Sequence, residues 1–280
     1  MLWQTSRYTI DLRAPRVMGI INVTPDSFSD GGRYLQASAA IAHAERLVAE
    51  GADLLDIGAE STRPGARSPD TAEELARLVP VLHGVLQFGV PVSVDTSNPD
   101  VIRQVLDLGV DAINDVRALQ RPGALRALAA HPSAGLCLMH MRGEPGTMQD
   151  EPVYDDVVGV VRDFLRERLQ AAIDLGIPVE RIVLDPGIGF GKTVGHNLDL
   201  LRRQPELMGL GRPLLVGWSR KSTLGALTGR CPPERVHASV AAAVLAVHAG
   251  ARIVRVHDVA ATVDALKVWQ ATYNHEDAPA

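Results

Sequence analysis

The chain has 280 residues, 46% hydrophobic and 22% charged, which excludes disordered, collagen-like and coiled-coil classes. The 33 acidic against 28 basic residues give a formal charge of −5 and no electrostatic footprint for nucleic acid. Two cysteines, Cys137 and Cys231, exclude a disulfide framework, and no stretch approaches the about 18 apolar residues of a membrane span, so a soluble, cytoplasmic protein is expected. Residues 1–16 read as a polar lead-in, suited to capping one end of the fold. From residue 17 onward, eight β-type runs follow one another: 17–21, 54–57, 92–94, 112–113, 135–139, 182–184, 214–216 and 252–256. Helix-length segments lie between them, including 39–49, 71–86, 99–108, 155–175 and 235–249. Ser68-Pro69-Asp70 with Glu73 and Glu74, and Asn98-Pro99-Asp100, are helix start signals. Gly51, Gly109, Gly176 and Gly250 stand where helices stop and strands follow. Residues 274–280 read as a frayed tail.

Strand–helix alternation implies parallel pairing, and eight repeats over about 250 residues predict a single-domain α/β fold, a (β/α)₈ TIM barrel spanning 17–273. The alternative, an open doubly wound sheet, usually has fewer strands and a Gly-rich fingerprint after the first. Here Asn22-Val23-Thr24-Pro25 follows it instead. Asn22, Asp56, Asp95, Asn114 with Asp115, His140, Asp185, Ser219 and His257 stand at or just past the ends of the eight runs. One such residue is an ordinary strand terminator, because Asp and Asn favour turns. A polar group at every end points to the face where barrel enzymes build their sites, and to a polar ligand with several donors.

The loop 22–32 carries hard oxygen donors suited to Mg²⁺ and a substrate phosphate. Ser61-Thr62-Arg63-Pro64-Gly65 sets a hydroxyl pair before an Arg fork, which suits an oxyanion, although a lone loop Arg is more often solvated. Residues 185–193 miss the phosphate-loop spacing by one position, since Gly187 stands too close to Gly191. Phe190 reads equally as a lid over a flat ligand or as a packing residue. Gly217-Trp218-Ser219-Arg220-Lys221-Ser222 and Arg255-Val256-His257 follow or end the last two strands, where barrels frequently bind phosphate. Alternation along a strand puts Arg255 and His257 on one side. His43, His83, His131, His237 and His248 fall within or beside helical segments and read as surface or packing residues. No zinc spacing and no G-x-S-x-G elbow is present.

Together, segments 19–32, 56–64, 93–96, 113–116, 139–143, 185–192, 217–222 and 255–258 resemble the dihydropteroate synthase family of folate biosynthesis, in the same order through almost the whole chain. The resemblance implies condensation of 6-hydroxymethyl-7,8-dihydropterin diphosphate with 4-aminobenzoate, giving 7,8-dihydropteroate and pyrophosphate by substitution at the exocyclic methylene. It implies a pterin pocket of Asp95, Asn114, Asp185 and Lys221, with Met139 packing on the ring. It assigns Asn22, Thr62, Arg63, Arg255 and His257 to diphosphate, with Mg²⁺ as cofactor on Asn22, and Phe28, Pro64, Phe190 and Ser222 to 4-aminobenzoate. Arg63, Lys221, Arg255 and His257 are then the catalytic groups. Sulfonamides as inhibitors and a homodimer are also implied, with neither nucleic acid nor membrane as partner. Trp218 and Arg117 depart from the family's usual residues, and neither removes a proposed catalytic group. Two rivals share the pterin pocket: a corrinoid-linked methyl-folate methyltransferase, which has no use for the Arg63, Lys221 and Arg255 cluster, and a non-catalytic pterin-binding paralogue.

Overall fold

The computed structural model describes residues 1–24, 33–60, 68–144, 147–148 and 152–273. The chain opens with an antiparallel hairpin, β1 (Leu2–Gln4) and β2 (Thr9–Asp11), in which Trp3 faces Ile10. Eight parallel strands follow: β3 (Arg16–Asn22), β4 (Leu54–Gly58), β5 (Val92–Asp95), β6 (Ala112–Asp115), β7 (Gly135–Met139), β8 (Ile182–Asp185), β9 (Leu215–Val216) and β10 (Ile253–Val256). They pair in the order β8-β7-β6-β5-β4-β3-β10-β9. The ring closes through a parallel bridge between Leu184 and Leu214, with the Leu184 N–H donating to the Pro213 carbonyl at 3.0 Å. This is the expected barrel. The ladder runs past several expected ends, so Asn22, Asp95, Asn114 and Asp185 are strand residues, held by the sheet rather than by loops.

The outer layer holds α1 (Arg33–Ala49), α2 (Thr71–Val85), α3 (Pro99–Asp107), α4 (Ala124–Ala129), α5 (Val157–Asp174), α6 (Val194–Arg202), α7 (Pro205–Met208), α8 (Ser222–Thr228), α9 (Val236–His248) and α10 (Val259–Tyr273). Asp70 and Glu73 form a capping box at the start of α2, and Asn98 caps α3 ahead of Pro99. Gly51, Gly109, Gly176 and Gly250 all have positive φ, the left-handed turn that ends a helix without a Cβ penalty.

Side chains sort into two apolar clusters by strand alternation. Val17, Ile21, Leu55, Ile57 and Val94 pack outward beneath Leu47, Leu78 and Ile102 of the first three helices. Met18, Leu54, Ala112, Cys137, Val183, Leu215 and Ile253 fill the barrel's N-terminal end. The residues expected as a polar lead-in close that end: Trp3, Ile10 and Leu12 complete the inner cluster, and Trp3 Nε1 donates to the Arg181 carbonyl at 2.8 Å. Gly135 lets the hairpin approach, since a Cβ there would lie 3.1 Å from Trp3 Nε1 and 2.9 Å from Thr5 Cγ2. Two residues further along β4, β6, β8 and β10, the same inward rows turn polar, at Asp56, Asn114, Asp185 and Arg255.

Candidate active site

At the C-terminal end of the barrel, the inward rows continue as Asp56 on β4, Ser93 and Asp95 on β5, Asn114 on β6, Met139 on β7, Asp185 on β8 and Arg255 on β10. Arg255 holds two carboxylates: Nε donates to Asp56 Oδ2 at 2.6 Å and Nη2 to Asp95 Oδ2 at 3.3 Å. Asn114 Nδ2 donates to the same Asp56 Oδ2 at 3.1 Å. Among the described residues, Asp56 Oδ1, Asn114 Oδ1 and Ser93 Oγ are buried without a hydrogen-bond partner. Such acceptors are costly unless a ligand supplies donors.

Burial sets the electrostatics. It pushes the Asp95 carboxyl up to about 8, even though Arg255 pulls it down. It raises Asp185 against the pull of Lys221, and lowers the Lys221 ammonium to about 8 against that of Asp185. In each case the neighbouring opposite charge works against the burial.

Beyond β8 the Gly-rich turn is shaped by its neighbours. Asp185 Oδ1 accepts from the Gly187 N–H at 2.7 Å. Gly187 has φ +67°, and a Cβ there would collide with the His140 carbonyl oxygen. Lys192 does not point outward as a phosphate-loop lysine would. It is 3% exposed, and its Nζ donates to the carbonyls of Gly187 (2.9 Å), Phe190 (3.0 Å) and His140 (3.3 Å) and lies 2.9 Å from His140 Nδ1. Burial lowers the pKa of both groups, while the three carbonyl acceptors suit a lysine ammonium. Lys221 Nζ donates to the Ile188 carbonyl and lies 4.7 Å from the centroid of the Phe190 ring. Asp185, Phe190 and Lys221 thus form one wall.

The rim above β3 and β10 brings Asn22 and His257 to one cleft with Arg220 and Asp258. Ser222 is exposed at the start of α8, and Met139 is buried. Phe28, Thr62, Arg63 and Pro64 lie outside the described residues. Three contributors carry no assigned role from the sequence: Asp56, Ser219 and Arg117. A carboxylate inside the apolar run Leu54-Leu55-Asp56-Ile57 is the available signal for the first. Arg117, which stood out only as a local departure, is 6% exposed and bonds Ser97 Oγ (3.1 Å), Glu144 Oε2 (3.1 Å) and Glu60 Oε1 (3.3 Å). Its turn contains left-handed Ala118 (φ 50°) and Leu119 (φ 55°), held by Asp115, which accepts from the Arg117 and Leu119 N–H groups at 2.8 Å each.

Residues 18–257 match the pterin-binding enzyme family. The dihydropteroate synthase of Neisseria meningitidis serogroup B is 55% identical over 276 residues, covering 96% of this chain and 97% of that one. The chain belongs to the dihydropteroate synthase family. Two solved members share its fold closely. That of Yersinia pestis, in complex with a sulfonamide drug, has a TM-score of 0.93 at 47% identity, covering 98% of this chain and 100% of that one. That of Burkholderia cenocepacia, complexed with 7,8-dihydropteroate, has a TM-score of 0.89 at 50% identity, covering 98% and 97%.

Proposed function

We propose that this chain condenses 6-hydroxymethyl-7,8-dihydropterin diphosphate with 4-aminobenzoate, releasing pyrophosphate, and that the described barrel mouth holds the pterin. The carrying observation is the set of buried acceptors without partners among the described residues, Asp56 Oδ1, Asn114 Oδ1 and Ser93 Oγ, beside Asp185 and Lys221. An Asp185 carboxylate takes paired N–H donors of a guanidine-like edge as it would an Arg fork. Lys221 supplies a donor for a ring acceptor, and Met139 packs against the ring face. Phe190 and Ser222, with Phe28 and Pro64, take the aminobenzoate. The relatives' complexes with a sulfonamide and with 7,8-dihydropteroate support this pair of substrates and sulfonamide inhibition.

In the reaction the bond from the exocyclic methylene to the diphosphate oxygen breaks, the amine nitrogen bonds to that carbon, and the amine gives up a proton. Arg255 and His257, with Thr62 and Arg63, stabilise the negative charge that builds on the leaving group. Arg255 retains capacity for this role: its Nη1 has no hydrogen-bond partner among the described residues. The donor set suits Mg²⁺ carried in with the diphosphate. Asn22 offers one hard oxygen, and among the described residues no cluster of three His, Cys, Asp or Glu stands ready to hold a metal. When bound, Mg²⁺ would neutralise charge on the diphosphate. No helix among the described residues is long and apolar enough to cross a membrane. We place the enzyme in the cytoplasm as a homodimer, for which exposed Leu227, Leu245 and Val268 on the last three helices offer an apolar surface.

A coupled assay for pyrophosphate tests the reading. Release that requires Mg²⁺ and matches dihydropteroate formed in the presence of both substrates is expected. Pterin binding without any release overturns the catalytic assignment in favour of a binding paralogue.

A further inference from the structure

The turn after β9 is braced more heavily than its length requires. Arg220 sits in the left-handed region at φ 57°, strained for a residue with a side chain. Its N–H donates to Ser239 Oγ at 2.9 Å, and its carbonyl accepts from Arg235 Nη1 at 2.9 Å. Its guanidinium grips Asp258, with Nε 3.0 Å from Oδ2 and Nη2 2.5 Å from Oδ1. One residue earlier on each side, Ser219 meets His257, so two adjacent contacts tie this turn to the end of β10. The strain is held in place from three directions, and what it fixes is the position of Ser219 against His257.

The hydrogen bonds there have a direction. The His257 backbone N–H, which can only donate, lies 3.1 Å from Ser219 Oγ, so the hydroxyl oxygen is the acceptor in that contact. The same Oγ is 2.9 Å from His257 Nδ1. Ser219 is 6% exposed, and Oγ has no other partner among the described residues. Were Nδ1 protonated, Oγ would accept twice and its own hydrogen would be left buried without an acceptor, which is unfavourable. The satisfied arrangement has the Ser219 hydroxyl donating to an unprotonated Nδ1. We propose that Ser219 is a positioning residue that fixes the tautomer of His257, with the ring proton on Nε2, so that the imidazole meets the departing diphosphate as a hydrogen-bond donor. The proposal rests on placing the diphosphate beside His257. Burial, with Arg255 and Arg220 nearby and Asp258 as the opposing charge, holds the imidazole down to about 3, so at neutral pH a single N–H is available and its location matters. His257 then acts by donating a hydrogen bond, and no proton transfer from it is needed.

Nitrogen-15 NMR of histidine-labelled protein tests this directly, with the His257 signals assigned by their loss in His257→Gln. The expected pattern at pH 7 is an unprotonated Nδ1 and a protonated Nε2. Ser219→Ala should give a mixture of tautomers and lower kcat about tenfold at unchanged KM for the pterin substrate, and Ser219→Thr, which keeps the hydroxyl, should restore the pattern and most of the rate. A protonated Nδ1 in the unsubstituted protein overturns the proposal, and so does an unchanged tautomer in Ser219→Ala. If Ser219→Ala does not fold, the spectrum of the unsubstituted protein alone decides. Inorganic pyrophosphate with Mg²⁺ should move the Nε2 signal. The expected tautomer without that shift overturns the diphosphate reading and leaves the Ser219 assignment standing.

Discussion

The two ends of the barrel interior are opposite in chemistry, and on β4, β6, β8 and β10 the change comes within two residues of one strand. At the N-terminal end Met18, Leu54, Ala112, Cys137, Val183 and Ile253 pack on Trp3, and full burial of one large apolar side chain contributes about 1.5–3 kcal/mol. At the C-terminal end Asp56, Asp95, Asp185, Lys221 and Arg255 are taken out of water. Breaking the Arg255 pairs with Asp56 and Asp95 is costly, while the pairs themselves add little net stability. The contrast teaches that one end carries the stability that lets the other remain poised for a ligand. Substitutions should therefore separate folding from function by position along a strand.

The largest effect is expected at the closed end. Trp3→Ala leaves a cavity under the barrel and strands the Arg181 carbonyl, at a cost of about 3–5 kcal/mol. Denaturant unfolding should show this loss while kcat at a permissive temperature stays unchanged; a matching fall in kcat would mean that the plug shapes the mouth. Next, Arg255→Ala should reduce turnover by about 10²–10³, as for one preorganised charge-stabilising donor. It also removes the partner of Asp56 and Asp95, so part of the loss should appear in the melting temperature. Pterin lacking diphosphate should bind this variant nearly as it binds the unsubstituted enzyme, and a large loss would move Arg255 to the ring. Third, Asp185→Asn puts an amide donor against paired ligand donors and should weaken pterin binding by roughly 2–4 kcal/mol. Its melting temperature should hold, because a buried charge is removed and Lys221 can shed its proton. Near-normal affinity by calorimetry would take Asp185 out of the pocket.

The smallest effect sharpens where the polar end stops. Glu74, on α2 outside the barrel, is 2% exposed with Oε1 unpartnered among the described residues, and burial pushes its carboxyl up to about 7. The folded state therefore holds a proton that the unfolded state releases from about pH 4.5 upward, so this group lowers stability progressively between pH 4.5 and 7. Glu74→Gln should gain on the unsubstituted protein across that window in melting temperature, and then run parallel to it. A constant offset at all pH values would show that Glu74 ionises normally.

Much of this division was legible in the residues. The eight strands and the glycine stops are local signals, and the polar residues at strand ends marked the functional face. The structure brings Asp95, Asn114, Asp185, Lys221 and Arg255 together there. What stayed hidden depends on distant partners. Trp3, Ile10 and Leu12 are three apolar residues in or just past short strands, and nothing nearby in sequence shows the floor they cover. Lys192 reads as a basic residue in a glycine turn, and only the surrounding carbonyls reveal a staple. Asp56 and Ser219 are marked at their strand ends, but their partners Arg255 and His257 lie far away in sequence. Thr62, Arg63, Phe28 and Pro64 remain expectations carried by resemblance.

The hairpin plug also has a consequence for the order of folding. Trp3 bonds a carbonyl 178 positions away, and its apolar neighbours include Ile253 on the last strand. A ribosome releases these first residues long before their binding surface exists, so they must wait, undocked, until nearly the whole chain has emerged. The first barrel strand likewise pairs with the last. Closure therefore depends on contacts of great sequence separation, which slow folding. A bulky extension fused ahead of Met1 would burden that final docking step, whereas the ring of strands can begin to assemble without it.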